Sequence, residues 1–352
     1  MIAAVSGLRW LAIGTGVVMV VVALLWGRRR EHGTTSPAIM LVLGIGLALA
    51  GAFPGIARIP AEILSLEHMR GGALITLLII SSILLWLALV WNRSKIEFLR
   101  DRLNDLLDAS AVDTFIEHVR TEGRPTAEVW VVIPALEEED NIGGVLDAMP
   151  KEVLGRSANI LVVDDGSADR TGDVAREHGA YVLRMPINSG QGSALKAGYH
   201  AALRLGAQAV VTLDADGQNL PSEIEVLAEP VLAGEADIVI GSRVLGDFEH
   251  SALVRTVGVY LFNWLLTVLT GTKITDCASS FRALSRSVLE AAQLKQEQYQ
   301  STEILIEGAR GKFTIAERPI TWRRRQSGTT KKGRSLKYGF LFLRTIVKTW
   351  LR

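Results

Sequence analysis

Short apolar runs alternate with helix-like segments from Glu128 onward, and this alternation constrains the fold more than any other feature. The runs are rich in β-branched residues, and they are Val129 to Ile133, Ile160 to Val163, Tyr181 to Leu183, Ala209 to Leu213 and Ile238 to Ile240. Strands that alternate with helices build an α/β domain with a mostly parallel sheet. Ligands bind such sheets beyond the carboxyl ends of the strands, so we expect functional residues directly after each run.

The residues that follow the first two runs are acidic and turn-forming. Pro134-Ala135-Leu136-Glu137-Glu138 follows the first run, and Asp164-Asp165-Gly166-Ser167 follows the second. Each segment has the pattern of a strand that leads into a helix. Turn formation and helix capping explain these residues as readily as ligand binding does, so neither segment identifies a site by itself.

A glycine-rich segment, Asn188 to Gly198, follows the third run. Gly190 and Gly192 come just before an apolar helix, where bare backbone amides and the helix N-terminus can face an anion. This pattern predicts a phosphate cradle. A dinucleotide-binding fold is the rival interpretation, but its Gly-x-Gly-x-x-Gly fingerprint follows the first strand, where this chain has proline and acids. A nicotinamide enzyme is therefore disfavoured.

The most specific local motif is Asp214-Ala215-Asp216-Gly217-Gln218, directly after the fourth run. Two carboxylates at a strand end can bind one Mg²⁺ or Mn²⁺ ion that also binds both phosphates of a nucleotide diphosphate. A calcium loop is the alternative interpretation. An EF-hand needs further ligands and a closing acid at its twelfth position, whereas this chain continues into Pro221 and a new helix. We therefore predict the metal site of a transferase.

The first quarter of the chain contains three apolar stretches, Trp10 to Trp26, Pro37 to Phe53 and Gly72 to Trp91. Each is long enough to cross roughly 30 Å of hydrocarbon, which predicts three membrane spans. The first is better explained as an anchor than as a signal peptide, because the arginines 28–30 follow it instead of a small-residue cleavage site. Counting Lys and Arg places the N-terminus outside an inner (plasma) membrane and the chain after Trp91 in the cytoplasm.

Charge and cysteine content exclude other classes of protein. The formal net charge is +1, which gives no reason to expect a nucleic-acid partner. The single cysteine, Cys277, cannot form an intramolecular disulfide and lacks the companions of a zinc site. The segment 323–337 is nevertheless strongly basic, and the segment from Tyr338 to Trp350 has the pattern of an interfacial amphipathic helix. These two segments predict contact with anionic lipid headgroups, with a solvated basic face as the alternative.

Four regions follow from these patterns: a three-span membrane domain 1–92, a juxtamembrane amphipathic linker 93–125, a catalytic domain 126–325, and a basic loop with an interfacial helix 326–352. The linker has apolar residues at helical spacing, namely Ile96, Leu99, Leu103, Leu106 and Leu107. The pattern is too short to establish a coiled coil. We expect the linker to contact other copies of the chain in a homo-oligomer, or to lie on the catalytic domain or the membrane.

From Val131 to about Lys332 the chain resembles a family 2 glycosyltransferase with the Rossmann-like GT-A fold, in particular the dolichol-phosphate mannose synthase and polyprenyl-phosphate glycosyltransferase branch. The motifs that carry the resemblance occur in the family's order, and they are Val132-Ile133-Pro134-Ala135-Leu136, Val163-Asp164-Asp165-Gly166-Ser167, Asn188-x-Gly190-x-Gly192, Asp214-Ala215-Asp216, Gly241-Ser242-Arg243, Thr270-Gly271, Asp276-x-x-Ser279-Ser280-Phe281-Arg282 and Arg325-x-x-Gly328. The three-span region also resembles a small bacterial membrane domain found beside such enzymes.

The resemblance implies a role for each matched residue. The nucleotide sugar would be bound by Pro134, Leu136, Glu138, Asp164, Asp165, Gly190, Gly192 and Asp214. The cation, Mg²⁺ or Mn²⁺, would be held by Asp214, Asp216 and Gln218. The catalytic residues would be Asp216, Asp276, Arg282 and Arg243, and the acceptor phosphate would be bound by Arg243, Arg255, Ser279, Arg325 and Lys331.

Three residues depart from the family pattern. Glu137 stands where the family usually has Asn, Ser280 stands where it usually has Gly, and Val259 replaces the usual Asn after Gly258. We expect the first departure to affect the contacts with the nucleotide base, and the other two to be tolerated.

The sequence thus predicts inverting transfer of a sugar from a UDP- or GDP-sugar to polyprenyl phosphate. A phosphate monoester is largely dianionic near neutral pH and needs cationic positioning, whereas a hydroxyl acceptor needs a general base. Two alternatives are a transferase of the same fold with a hydroxyl acceptor in glycan or glycolipid synthesis, and an inactive sugar-nucleotide-binding membrane scaffold. The intact residues Asp214, Asp216, Asp276 and Arg282 argue against the scaffold.

Overall fold

The computed structural model describes residues 2–27, 35–53, 72–123, 127–246, 253–292, 294–296, 300–323 and 335–350. These residues belong to two compact units, Met1–Arg102 and Leu103–Arg352.

The N-terminal unit is helical. It contains α1 (Ile2–Gly27), α2 (Thr35–Ala52) and the first part of α3 (Gly72–Glu122). Helices α1 and α2 pack closely at two glycines: a Cβ added to Gly16 would lie 2.6 Å from the carbonyl oxygen of Gly44, and one added to Gly44 would lie 2.8 Å from that of Gly16. A larger residue at either position would therefore separate the two helices.

Helices occupy all three apolar stretches of this unit, and several large apolar side chains are exposed on them, including Trp10, Val18, Leu24, Val42, Leu85 and Trp86. Within the part of the chain that the structure describes, no helix is both long and apolar enough to cross a membrane. The three predicted membrane spans are not confirmed, and they stay a prediction.

The second unit contains a sheet of eight strands with the order β2-β3-β1-β5-β7-β6-β8, and β4 pairs with β3. The strands are β1 (Val129–Ala135), β2 (Glu152–Val153), β3 (Arg156–Asp164), β4 (Tyr181–Arg184), β5 (Ala209–Thr212), β6 (Ile238–Ser242), β7 (Arg282–Ser285) and β8 (Ile315–Pro319). Strand β1 runs parallel to β3 and β5, and β6 runs parallel to β8. Strand β7 is antiparallel to both β5 and β6. All five predicted strands are confirmed, as is the mostly parallel sheet.

Helices and loops cover both faces of the sheet. The helices are α4 (Glu139–Asp147), α5 (Thr171–Glu177), α6 (Gln191–Arg204), α7 (Ile224–Leu232), α8 (Leu253–Thr270), α9 (Arg286–Ala291), α10 (Gln300–Arg310) and α11 (Ser335–Trp350), with a 3-10 turn at Pro221–Glu223. Strand β1 places Trp130 and Val132 in one apolar core and Val129, Val131 and Ile133 in the other. A strand buried on both faces is typical of the middle of a parallel sheet, and it explains the continuous apolar run of β1.

The last turns of α3 belong to the core of the second unit. Val112, Phe115, Ile116 and Val119 are buried in it. Lys196 on α6 forms an ion pair with Asp105 of α3, with 2.7 Å between Nζ and Oδ1. This part of the predicted linker therefore lies on the catalytic domain, as one of the two alternatives expected. Apolar side chains in the first part of the predicted linker are exposed, and these are Ile96, Leu99, Leu103 and Leu106.

Candidate active site

The carboxyl ends of β1, β3, β5 and β6 meet at one edge of the sheet. The loop 275–281 reaches the same edge, because β7 is antiparallel to β5 and its first residue, Arg282, pairs with Thr212. The structure thus brings together the acidic strand ends, the glycine-rich segment, the Asp214 motif and the Asp276 motif.

The two aspartates after β3 hold neighbouring backbone in place. The carboxylate of Asp165 accepts the N–H groups of Ser189 and Gly190, each at 2.8 Å. The Asp164 carboxylate accepts the N–H of Ser167 at 2.8 Å. Both aspartates are buried. Asp165 therefore fixes the shape of the glycine-rich segment.

The segment after β1 is tied to the segment after β3. The N–H of Glu137 donates to Ser167 Oγ at 3.0 Å, and the N–H of Glu138 donates to Thr171 Oγ1 at 2.8 Å. The buried carboxylate of Glu138 accepts a hydrogen bond from Asn141 Nδ2 at 2.7 Å. Pro134 and Leu136 lie beside these residues and are half-buried. These contacts hold the segment after β1 against the segment after β3 at the carboxyl ends of the strands.

The glycine-rich segment ends in helix α6. Gly190 has φ of 95°, a conformation that favours glycine, and α6 starts at the next residue. Gly192 is buried in the first turn. Gln191 donates from Nε2 to Asp214 Oδ1 at 3.0 Å, so the N-terminus of α6 adjoins the Asp214 motif.

Asp214 and Asp216 lie in a tight turn after β5. Ser280 Oγ donates to Asp214 Oδ2 at 2.5 Å, and Asp216 Oδ1 accepts the N–H of Gln218 at 3.1 Å. The Gln218 side chain donates from Nε2 to the carbonyl oxygen of Arg323 at 3.0 Å. The Nε2 atom of Gln218 is therefore occupied, and its Oε1 atom is the one that could bind a cation.

The donor set fits a divalent cation that is shared with a substrate. No group of three or more His, Cys, Asp or Glu side chains suited to a metal ion occurs among the described residues. Mg²⁺ usually binds proteins through one or two carboxylates and takes its other ligands from water and substrate phosphates. Asp214 contacts Gln191 at the start of α6, and Asp216 lies two residues further along the same turn, so the protein offers the two carboxylates that such a site needs.

Arg243 and Asp276 form a bidentate ion pair. Arg243 donates from Nε to Asp276 Oδ2 at 2.6 Å, from Nη2 to Oδ1 at 2.7 Å and from its backbone N–H to Oδ2 at 3.0 Å. The Trp322 ring lies under the guanidinium, with 4.8 Å between Cζ and the ring centroid. Burial lowers the pKa of Arg243, but the hydrogen bonds and charge of Asp276, together with the charge of Asp214, outweigh burial and raise it. Arg243 is therefore a fixed cation at the end of β6, on the same edge of the sheet as the Asp214 motif.

Two side chains that the sequence did not single out hold the loop before Asp276. The Glu317 carboxylate accepts the N–H groups of Thr275 and Asp276, at 2.9 and 3.2 Å, and the Thr275 hydroxyl at 2.8 Å. Asn263 on α8 donates to the carbonyl of Thr275 and accepts the N–H of Cys277. The sequence signal for Glu317 was a single acidic residue within the short strand β8.

Arg282 has a different position from the one that the resemblance implied. Its buried guanidinium donates to the carbonyl oxygens of Cys277 and Ser279, at 2.8 and 2.7 Å, and to that of Ser301. Burial lowers the pKa of Arg282 to about 10, so it remains charged at neutral pH. Because all three nitrogens bind main-chain carbonyls, Arg282 positions the loop in this structure, and its catalytic role stays a prediction. The Ser279 hydroxyl is also buried, and it has no hydrogen-bond partner among the described residues.

The structure does not describe the side chains of three expected phosphate ligands. Arg255 lies in α8, but its side chain is not among the described ones. Arg325 and Lys331 lie outside the described residues.

Comparison with known proteins agrees with this architecture. Residues 130–292 match the profile of Glycosyl transferase family 2. The chain is 33% identical over 224 residues to the polyprenol monophosphomannose synthase of Mycolicibacterium smegmatis, covering 59% of this chain and 82% of that one. It is 30% identical over 214 residues to the UDP-N-acetylglucosamine–dolichyl-phosphate N-acetylglucosaminyltransferase of Methanococcus voltae, covering 54% and 84%.

The fold has a counterpart among solved structures. A mycobacterial protein superposes with a TM-score of 0.50 at 26% identity, covering 64% of this chain and 74% of that one. The mostly parallel sheet between helices is the GT-A-like α/β fold that the sequence resemblance implied. The chain belongs to Glycosyl transferase family 2, and it is a glycosyltransferase.

Proposed function

We propose that this chain transfers a sugar from a UDP- or GDP-sugar to polyprenyl phosphate and releases the nucleoside diphosphate. The observation that carries the proposal is Arg243, a cation that Asp276 fixes at the same edge of the sheet as the Asp214 motif. Asp276 takes hydrogen bonds from Nε and Nη2 of Arg243, and Nη1 has no hydrogen-bond partner among the described residues, so it can donate to an anion. The names of the relatives in Mycolicibacterium smegmatis and Methanococcus voltae support a polyprenyl-type phosphate as that anion.

The reaction is a single displacement. An oxygen of the lipid phosphate attacks the anomeric carbon of the sugar, a new carbon–oxygen bond forms, and the bond to the diphosphate breaks on the opposite face. The anomeric configuration therefore inverts, and no covalent intermediate with the enzyme is needed. The phosphate is already anionic, so the protein's task is to orient it, and we assign this task to Arg243.

The leaving group gains negative charge as its bond to the sugar breaks. Asp214 and Asp216 would hold the cation, and Mg²⁺ or Mn²⁺ bound there would neutralise that charge. The glycine-rich segment, held in shape by Asp165, presents the N-terminus of α6 to the diphosphate.

We further propose that the chain works at the cytoplasmic face of an inner membrane. Helices α8 and α11 pack together, with 4.6 Å between the ring centroids of Phe262 and Phe342. Both present exposed apolar side chains, and these are Tyr260, Leu261, Trp264 and Val268 on α8 and Leu343, Val347 and Trp350 on α11. Such a surface suits the boundary between headgroups and acyl chains. Three N-terminal membrane spans with an outside N-terminus would complete the attachment, and that part rests on the sequence pattern.

The acceptor class is tested with two lipids that differ by one group. The purified chain is incubated with labelled UDP- and GDP-sugars and either polyprenyl phosphate or the corresponding polyprenol, and the extracted lipid is counted. We expect label in polyprenyl phosphate alone, in a product with the inverted anomeric configuration by NMR. Equal labelling of polyprenol would replace the proposal with a hydroxyl acceptor, and nucleotide binding without any transfer would favour an inactive scaffold.

A further inference from the structure

The carboxylate of Asp214 is held from two sides. Ser280 Oγ donates to Oδ2 at 2.5 Å, and Gln191 Nε2 donates to Oδ1 at 3.0 Å. The two donors come from different parts of the fold, the loop before β7 and the N-terminus of α6. Neither oxygen of Asp214 can rotate away without breaking a hydrogen bond.

The backbone around Ser280 is itself fixed. Its carbonyl oxygen accepts the hydroxyl of Thr212 in β5, and the next residue, Phe281, is fully buried. The preceding residue, Ser279, has its carbonyl bound by the buried guanidinium of Arg282. The Ser280 hydroxyl is therefore a donor on a rigid support, which makes its bond to Asp214 an orienting contact.

A hydrogen bond of this kind leaves room for a metal ion. A carboxylate oxygen has two lone-pair directions, and one donor occupies only one of them. Donors behind a ligating carboxylate fix its orientation, and their removal typically weakens metal binding by about 10–100-fold. Ser280 has this relationship to Asp214, and a glycine at the same position would have no group to donate.

We propose that Ser280 is a positioning residue that orients Asp214 for a divalent cation. The proposal rests on the metal role of Asp214 in the proposed function. It also changes the expectation from the sequence: the serine that departs from the family pattern is part of the site's structure, because it bonds directly to a predicted metal ligand.

The test measures Mn²⁺ affinity directly. The full chain is titrated with Mn²⁺ in detergent, and free Mn²⁺ is followed by electron paramagnetic resonance. The variants are Ser280→Ala, Ser280→Thr, Asp214→Ala and Asp216→Ala. Ser287→Ala is the matched control, because the Ser287 hydroxyl also donates to an aspartate, Asp237, at 3.3 Å but lies outside the site. Thermal unfolding of each variant checks that it is folded.

We expect Ser280→Ala to weaken Mn²⁺ binding by about tenfold. Ser280→Thr, which keeps the hydroxyl, and Ser287→Ala should bind Mn²⁺ as the wild type does. Ser280→Gly serves in place of Ser280→Ala if the alanine variant does not fold. If folded Ser280→Ala binds Mn²⁺ as tightly as the wild type while Asp214→Ala loses Mn²⁺ binding, the role proposed for Ser280 is wrong and the metal site stands. If Asp214→Ala and Asp216→Ala also bind Mn²⁺ as tightly as the wild type, the proposed metal site is wrong as well. The lipid assay tests the transfer reaction independently of these titrations.

Discussion

Arg243 donates hydrogen bonds to both carboxylate oxygens of Asp276, with Nε 2.6 Å from Oδ2 and Nη2 2.7 Å from Oδ1. The pair joins the end of β6 to the loop before β7, and it orients the guanidinium over the Trp322 ring. A lysine could not reproduce this geometry, because an ammonium group is a point charge without the planar fork of arginine.

Arg243→Lys should therefore impair acceptor binding. We expect the KM for polyprenyl phosphate to rise about tenfold, which corresponds to a loss of about 1.4 kcal/mol, with little change in the KM for the nucleotide sugar. Steady-state kinetics with each substrate varied in turn measures both constants. Arg286→Lys is the control, because Arg286 pairs with Glu290 at the surface. A rise confined to the nucleotide-sugar KM would contradict the acceptor role of Arg243.

Asp165→Asn should weaken nucleotide binding through the backbone. The carboxylate accepts the N–H groups of Ser189 and Gly190 on different oxygens, and an asparagine would place an NH₂ donor against one of these N–H groups. We expect the dissociation constant of UDP or GDP, measured by calorimetry, to rise about tenfold. The exposed Asp173→Asn should leave it unchanged. An unchanged constant in Asp165→Asn would mean that the shape of the glycine-rich segment does not govern binding.

Glu137 adopts φ of 49°, in the left-handed region that side chains with a Cβ avoid. Glu137→Gly should have a higher free energy of unfolding than Glu137→Ala, by about 0.5–1 kcal/mol, because both remove the side chain but only glycine removes the Cβ. Chemical denaturation of the two variants side by side makes the comparison. Equal stabilities would show that the backbone relaxes at this position.

Cys277 should be unreactive in the folded chain. Burial raises the pKa of its thiol to about 12, so at pH 8 about one molecule in ten thousand carries the reactive thiolate. The thiol is also fully buried. We expect a disulfide reagent such as DTNB to label the native chain very slowly and the chain unfolded in guanidinium completely. Rapid labelling without loss of structure would place Cys277 in a more open environment.

The sequence predicted those strands and motifs whose residue patterns lie within a short stretch of the chain. Strand β1 has an unbroken apolar run because both of its faces are buried, and the Asp214 motif follows β5 directly. The edge of the sheet where these residues meet follows from the parallel topology, so the site could be predicted in outline.

The remaining contacts depend on tertiary structure. Strand β7 begins at a buried arginine and has the sequence Arg-Ala-Leu-Ser, which carries no β-branched pattern. Arg282 was expected to face substrate, yet it binds the carbonyls of Cys277, Ser279 and Ser301. Packing among distant segments decides which side of a loop a guanidinium faces. The spacing of residues along the sequence does not predict it.

The most direct test of the central claim is a transfer assay with the catalytic motif altered. Label from a panel of UDP- and GDP-sugars is followed into an organic-extractable polyprenyl-phosphate fraction, with Mn²⁺, with Mg²⁺ and with EDTA, for the wild type and Asp216→Ala. We predict labelling by one donor class that requires the cation and falls at least about 100-fold in Asp216→Ala. Undiminished labelling in EDTA, or in Asp216→Ala, would contradict a metal-assisted transfer at this site.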